Sequence, residues 1–181
     1  MAVITRTTFN PLNDFVRVRL GQGVPIVDAD VNERDDIHMF ELRAALRWFI
    51  GDGVPDPSDA FRVEGTGAAS DVTIRAGVPP APAGASLEER ALRHVGRCLV
   101  GGVDVAIAAD ATFRAQALHV SRGAPATALA AALGVPTIAE MPVLAGTVVV
   151  YLDVWERLVT PTEAPGLVLP GLGTESCARV K

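Results

Sequence analysis

The chain has 181 residues, 49% of them hydrophobic and 20% charged, a balance that suits one globular domain with an arm and excludes wholesale disorder. A net charge of −5 and a pI of about 5.2 exclude an electrostatic grip on nucleic acid, so no nucleic acid partner is expected. Aromatic residues make up only 5%, so the core is expected to come from Val, Leu, Ile and Ala.

In chain order, MAVITRTTFNPLNDF lacks the apolar run of a signal peptide. Residues 1–30 read as an extended arm, punctuated by Pro11 and by Gly21-Gln22-Gly23. Within the arm, FVRVRL at 15–20 alternates Phe15, Arg17 and Arg19 against Val16, Val18 and Leu20, which predicts a strand. VPIV at 24–27 predicts a short edge strand or strand start, because Pro25 has no amide to donate.

Asp28, Asp30 and Asn32 alternate as the first ligands of a calcium loop would. Such a loop needs Gly at its sixth position and a bidentate Glu at its twelfth, where this chain has Glu33 and Met39. The same residues fit a helix start better. Asp30 is expected to cap the helix, accepting from the Glu33 amide while Glu33 reaches back. The long helix spans 31–51, with Gly51 as its stop. At helical spacing, Met39, Leu42, Leu46 and Phe49 form one apolar stripe, and Ile37, Phe40, Ala44 and Trp48 form another nearly opposite. An ordinary surface helix has one apolar face; two predict a helix wedged between two partners, from this chain or from a neighbouring subunit.

A β-rich domain follows over 61–160. FRVEG (61–65) and DVTIRAG (71–77) predict strands, and VPPAPAGASLEER (78–90) a flexible loop. HVGRCLVGGVDVAI (94–107) predicts a hairpin turning at Gly101-Gly102. ATFRAQALHV (111–120) predicts a strand and PATALAAALG (125–134) a short helix. GTVVVYLDVWERLVT (146–160) is the strongest strand pattern in the chain, with Glu156 and Arg157 marking where it leaves the core. Residues 161–181, rich in Pro and Gly, read as a loop-rich tail. The fold class expected is α+β: an extended arm, one long helix, then a small, mostly antiparallel β-rich domain.

Residues that carry chemistry are sparse. His38, His94 and His119 lie in separate elements, away from metal-ligand spacing, and read as surface or satisfied structural histidines. Cys98 and Cys177 are expected to be reduced thiols of a cytoplasmic protein. The only lysine is Lys181, which leaves no internal lysine nucleophile. Asp153 and Glu156 could be a hydrolase pair by residue type, but in a strand they point to opposite sides. No cofactor or metal is expected. No apolar run reaches the roughly 18 residues of a membrane span, so direct membrane insertion is not expected.

Two segments carry a family resemblance. TRTTFNPLNDFVRVRLGQGVPIVDADVNERDD resembles the opening of a family of uncharacterised N-terminal domains. Those read Arg-x-Thr-Phe-Asp-Pro, then Val-x-x-Gln-Gly, then Leu-Asp-Ala-Asp-x-Asn-Glu before a helix. Arg6, Thr8, Phe9, Asn10 and Pro11 stand at the first block, Val18, Gln22 and Gly23 at the second, and Asp28, Ala29, Asp30, Asn32 and Glu33 at the third. VVYLDVWERLVTPTEAPGL is similar to the family's Val-Tyr-Leu-Asp-Val-Trp-Glu-Arg block. GLGTESCAR sits at its Gly-Gly-x-Asp-Thr-x-x-Arg turn, with Glu175 and Arg179 matching loosely. Such domains are associated with phage-tail-like extracellular contractile injection systems.

The resemblance implies a non-enzymatic structural subunit at or around a baseplate, with other baseplate or tail proteins as partners and a homo-oligomeric state. It also implies cytoplasmic assembly into a particle that can leave the cell. The residues expected at assembly contacts are Phe9, Pro11, Phe15, Met39, Leu42, Trp48 and Phe49. The alternative is a receptor- or carbohydrate-binding module like a tail fibre, for which Trp48, Tyr151 and Trp155 would supply the aromatic platform.

Overall fold

The computed structural model describes residues 5–68, 70–142, 148–161, 163–169, 171, 174–175 and 179–181. The fold is α+β, with one long helix, a few short ones and small antiparallel sheets. Two compact units divide the chain: Met1–Ile50 with Leu152–Lys181, and Gly51–Tyr151. The second is thus a single continuous stretch inserted into the first. The segments 1–30, 31–51, 61–160 and 161–181 read from the sequence cut across these units.

In the first unit, Pro11–Asn13 makes a single 3-10 turn, which Asn10 caps by accepting from the Leu12 amide at 3.0 Å. The strands expected at 15–20 and 24–27 do not form: among the described residues neither stretch enters a ladder, and Phe15, Val16, Leu20, Val24 and Ile26 are exposed. Alternation fixes which way side chains point, but a strand exists only beside a partner. Helix α1 runs Asp28–Ala45 and continues as a π turn through Leu46–Ile50. Gly51, at φ 84, ends it in the left-handed conformation that Gly tolerates, as the sequence predicts.

The start of α1 corrects the expected cap. Val27 is the N-cap, extended at φ −108, and no side chain caps it. Asp30 lies inside the first turn with Asp28, where carboxylates favour the positive end of the helix without capping it. Glu33 turns to the arm instead of reaching back.

In the second unit, β1 (Val63–Gly65) pairs antiparallel with β2 (Val72–Ile74), Val63 opposite Ile74. Helix α2 (Leu87–Arg93) ends the stretch expected to be loop; Ser86 caps it, accepting from the Glu89 amide at 3.1 Å. Strands β3 (Gly96–Val100) and β4 (Val103–Ile107) form the expected hairpin. Gly101 and Gly102 both take positive φ, 58 and 84, as a two-residue I′ turn requires. The strand expected over 111–120 is reduced to β5 (Ala111–Thr112), which joins β2; a 3-10 turn at Phe113–Ala115 interrupts it, and Thr112 caps that turn at the Ala115 amide. Helix α3 (Ala124–Leu133) ends at Gly134, φ 68, matching expectation.

Among the described residues of this unit, the buried apolar ones are Ala60, Ala76, Ala126 and Ala130, rather than the Val and Leu expected of the core. Backbones meet directly there. A Cβ on Gly96 would lie 2.0 Å from the Ala76 carbonyl oxygen, and one on Gly77 would lie 2.2 Å from the Ala60 nitrogen.

The chain then returns to the first unit. Strand β6 (Leu158–Val159) pairs with β9 (Arg179–Val180), and β7 (Val168–Leu169) with β8 (Thr174–Glu175). The strong strand expected over 146–160 is therefore mostly absent. Residues 146–147 lie outside the described residues, and from 148 on only Leu158–Val159 is a strand. Its Val-Val-Val-Tyr-Leu run has the side chains of a buried strand but pairs with no strand among the described residues, and Val149 and Tyr151 are exposed.

Candidate assembly surface

Three arm threonines tie the chain to α1. The Thr7 hydroxyl donates to Asp36 at 2.7 Å, and those of Thr5 and Thr8 donate to Asp28 and Glu33. Phe9 packs on Phe40, ring centroids 5.6 Å apart and tilted 58°. The arm therefore runs along α1 in the same direction as the helix. Arg43 adds an ion pair with Glu156, so Glu156 is a structural partner of α1.

This fastening covers one side only. Ile37 is the sole buried apolar residue of α1, fully enclosed. Met39 is 46% exposed, Leu42 51%, Trp48 80% and Phe49 88%. Leu46 and Ala44 are half-buried. Of the residues of the two apolar stripes only Ile37 is fully enclosed, and Leu46, Trp48 and Phe49 lie in the π turn beyond the α-helical part. Of the other expected contact residues, Phe15 and Pro11 are exposed, while Phe9 is half-buried against Phe40 and already has a partner in the chain. The arm's threonine ties were not anticipated; the signal was a hydroxyl-rich TRTT run in a chain whose helix opens with five acids in nine residues, Asp28 to Asp36.

Polar groups elsewhere are committed to structure. In the second unit, Arg75 pairs with Glu64 and Asp110, and Arg62 with Asp59 and Glu64. Asp59, Arg62, Arg75 and Asp110 border an open cleft of about 310 Å³ with Gly77, Val78 and Pro79. The Ala76 amide and the Arg75 guanidinium hold the Asp110 carboxyl below the usual carboxylate range, and Asp110 and Glu64 raise Arg75 in turn. For Asp71, burial acts upward, but the Arg114 and Val72 amides, donating at 3.1 and 3.0 Å, outweigh it and the net shift is downward. Each arginine at the cleft already faces two carboxylates, so an anion would have to displace one.

His119 is fully buried, edge-on to Phe113 at 5.2 Å. Its Nδ1 accepts from the Ser121 amide at 3.1 Å, which leaves the proton on Nε2. Nε2 has no hydrogen bond among the described residues, and Glu140 Oε2 stands 3.9 Å away. His119 is therefore buried and only half satisfied, where the sequence suggested a satisfied or surface residue. Ser121, His119 and Glu140 include the residue types of a hydrolase triad. The Ser121 hydroxyl lies 2.8 Å from Nδ1, which also accepts from the Ser121 amide, and 3.3 Å from the Arg114 carbonyl; at 3.9 Å, however, Glu140 is beyond hydrogen-bond reach of Nε2 and does not orient the ring as a triad acid would. His94 Nδ1 lies 3.0 Å from the Pro79 carbonyl, and His38 is exposed. Cys98 is a half-buried free thiol whose pKa is raised by burial and by Asp52; Cys177 lies outside the described residues.

Among the described residues, no three His, Cys, Asp or Glu side chains gather as metal ligands would, and no helix is long and apolar enough to cross a membrane. Comparison with protein-family profiles, with curated proteins and with solved structures finds no match.

Proposed function

We propose that the chain is a structural subunit of a phage-tail-like contractile injection particle, at or around its baseplate, acting by protein–protein assembly. The observation that carries this is α1, a long helix with one buried apolar residue and two open apolar stripes ending in exposed Trp48 and Phe49. Exposed aromatic anchors beside charged flanks are the composition of binding hot spots. The arm and α1 dock neighbouring subunits, and the second unit presents a further contact surface. Assembly takes place in the cytoplasm, and the finished particle can leave the cell.

The test is to purify particles from cells that make the chain and follow it through sedimentation. It is expected to sediment with the tail and baseplate proteins, and to be lost from that fraction when Trp48 and Phe49 are both replaced by Ala. A chain that stays wholly in the light fraction overturns the reading. The exposed Trp48 also supports the alternative, a carbohydrate- or receptor-binding module; binding of the isolated chain on a glycan array, abolished by Trp48→Ala, would favour it instead.

A further inference from the structure

Two stretches of the chain have the layout of strands and lack a ladder. From 148 to 152 the exposure alternates, 44, 81, 42, 83 and 42%, which is the period of an extended chain with one side half-covered. That stretch runs on into β6, which is paired. In the arm, Phe15, Val16, Arg17, Arg19 and Leu20 are exposed and Val18 is half-buried. Among the described residues, no backbone amide or carbonyl of 15–20 or 148–155 has a hydrogen-bond partner, and Arg17, Arg19 and Asp153 have no ion-pair partner. We infer that residues 15–20 of one copy of this chain pair antiparallel with residues 150–155 of a second copy, Arg17 opposite Asp153. The inference rests on the assembly reading above and deepens it by naming the first contact.

In that register the two segments match on both faces. On one stand Phe15 with Trp155, Arg17 with Asp153 and Arg19 with Tyr151: an aromatic pair, an ion pair and a cation beside a ring. On the other, Val16 meets Val154, Val18 meets Leu152 and Leu20 meets Val150, all aliphatic. Other registers lose this. A slip of one residue sets Val16 or Val18 against Asp153. A slip of two sets Phe15 against Asp153 or Val16 against Glu156, and a parallel pair sets Leu20 against Glu156, a carboxylate already held by Arg43. The way the arm is held points to another copy as the source of the second strand. Phe9 sits on Phe40, about 18 Å along α1 from Asp28 at the helical rise, and residues 10–27 bridge that gap with a chain that reaches about 60 Å when extended. The slack lets 15–20 stand away from its own helix. With the ties of Thr5, Thr7 and Thr8 made, a single chain leaves both segments unpaired. Adding an extended segment to an open edge satisfies the backbone groups of both, and the alternating side chains set the register.

The test is disulfide trapping between two marked forms of the full chain, both with Cys98 and Cys177 replaced by Ser. One carries Val18→Cys, the other Leu152→Cys, and their tags differ in mass. Mixed and oxidised, they are expected to give a covalent heterodimer. Val18→Cys mixed with Asp153→Cys, whose side chain points to the other face, should give at least about tenfold less. Sedimentation equilibrium reads the affinity. Arg17→Asp should weaken association about tenfold, and adding Asp153→Arg should restore it to within about threefold, because the pair is re-formed with its signs exchanged. These positions lie outside the helices and strands, and circular dichroism checks that each variant folds. Absence of the heterodimer overturns the inference, as does an equal yield from the mismatched pair. So does a disulfide that forms only when both cysteines share one chain, or an association indifferent to Arg17→Asp. Particle sedimentation reads the assembly proposal separately, so either can fail while the other stands.

Discussion

The two units hold themselves together in opposite ways. In Gly51–Tyr151, glycine and alanine let backbones touch, and the charged groups near them are paired at close range. In the other unit, a helix longer than any in its neighbour encloses one isoleucine and is held by hydroxyls donating to carboxylates on its exposed surface. The first region has little side-chain volume and tolerates no more. The second has apolar volume to spare and does not bury it. Such open surface separates a region that covers its apolar groups from one that leaves them exposed.

The sharpest way to break that contrast is Gly96→Ala. Its methyl would stand 2.0 Å from a backbone carbonyl oxygen, so a loss of about 3 kcal/mol in unfolding free energy is expected, read as a lower denaturant midpoint. An unchanged midpoint would mean that this core is loose. Ser86→Ala removes the only side-chain cap of α2 and should cost about 1 kcal/mol, read from the same transition.

Asp110→Asn gives a pH-dependent effect. Because the folded carboxyl is held below its ordinary value, its contribution is complete above about pH 4, the unfolded value, and disappears as the pH falls through the lower folded value. The variant should therefore be less stable than the parent at neutral pH, with the difference closing in acid; parallel curves down to low pH would remove Asp110 from the account. Smallest are the effects in the first unit. Asp30→Ala and Thr8→Val should each change stability by less than about 0.5 kcal/mol, since neither caps a helix nor fills a core. A loss of about 1 kcal/mol for Asp30→Ala would mean that it caps the helix after all.

What was legible in the sequence follows from how local each signal is. The stop at Gly51, the hairpin at Gly101-Gly102 and the close of α3 at Gly134 each depend on one residue's backbone freedom, and each appears where expected. The pattern from 146 to 160 did not deliver its strand. β-branched residues state a preference, while pairing needs a partner far away in sequence. Helix α2 starts with the capped signature Ser86-Leu87-Glu88-Glu89, but the proline-rich run that precedes it argues for loop, and at seven residues the helix is too short to show a periodicity of its own. The apolar stripes of α1 were readable from spacing alone. That they stay open was not, because exposure depends on what the rest of the chain declines to cover. Nor could spacing foretell the half-satisfied His119, whose Glu140 neighbour lies 21 positions on.

The second unit leaves the first after Ile50 and rejoins it at Leu152. In engineering terms it is a cassette: one uninterrupted piece with its own alanine-lined interior, joined to the scaffold at two seams. An insertion of this kind can be lengthened, exchanged or deleted in the course of descent without disturbing the arm, α1 or the β6–β9 pair that closes the scaffold. Selection acting on the cassette is thereby uncoupled from selection on how the scaffold folds.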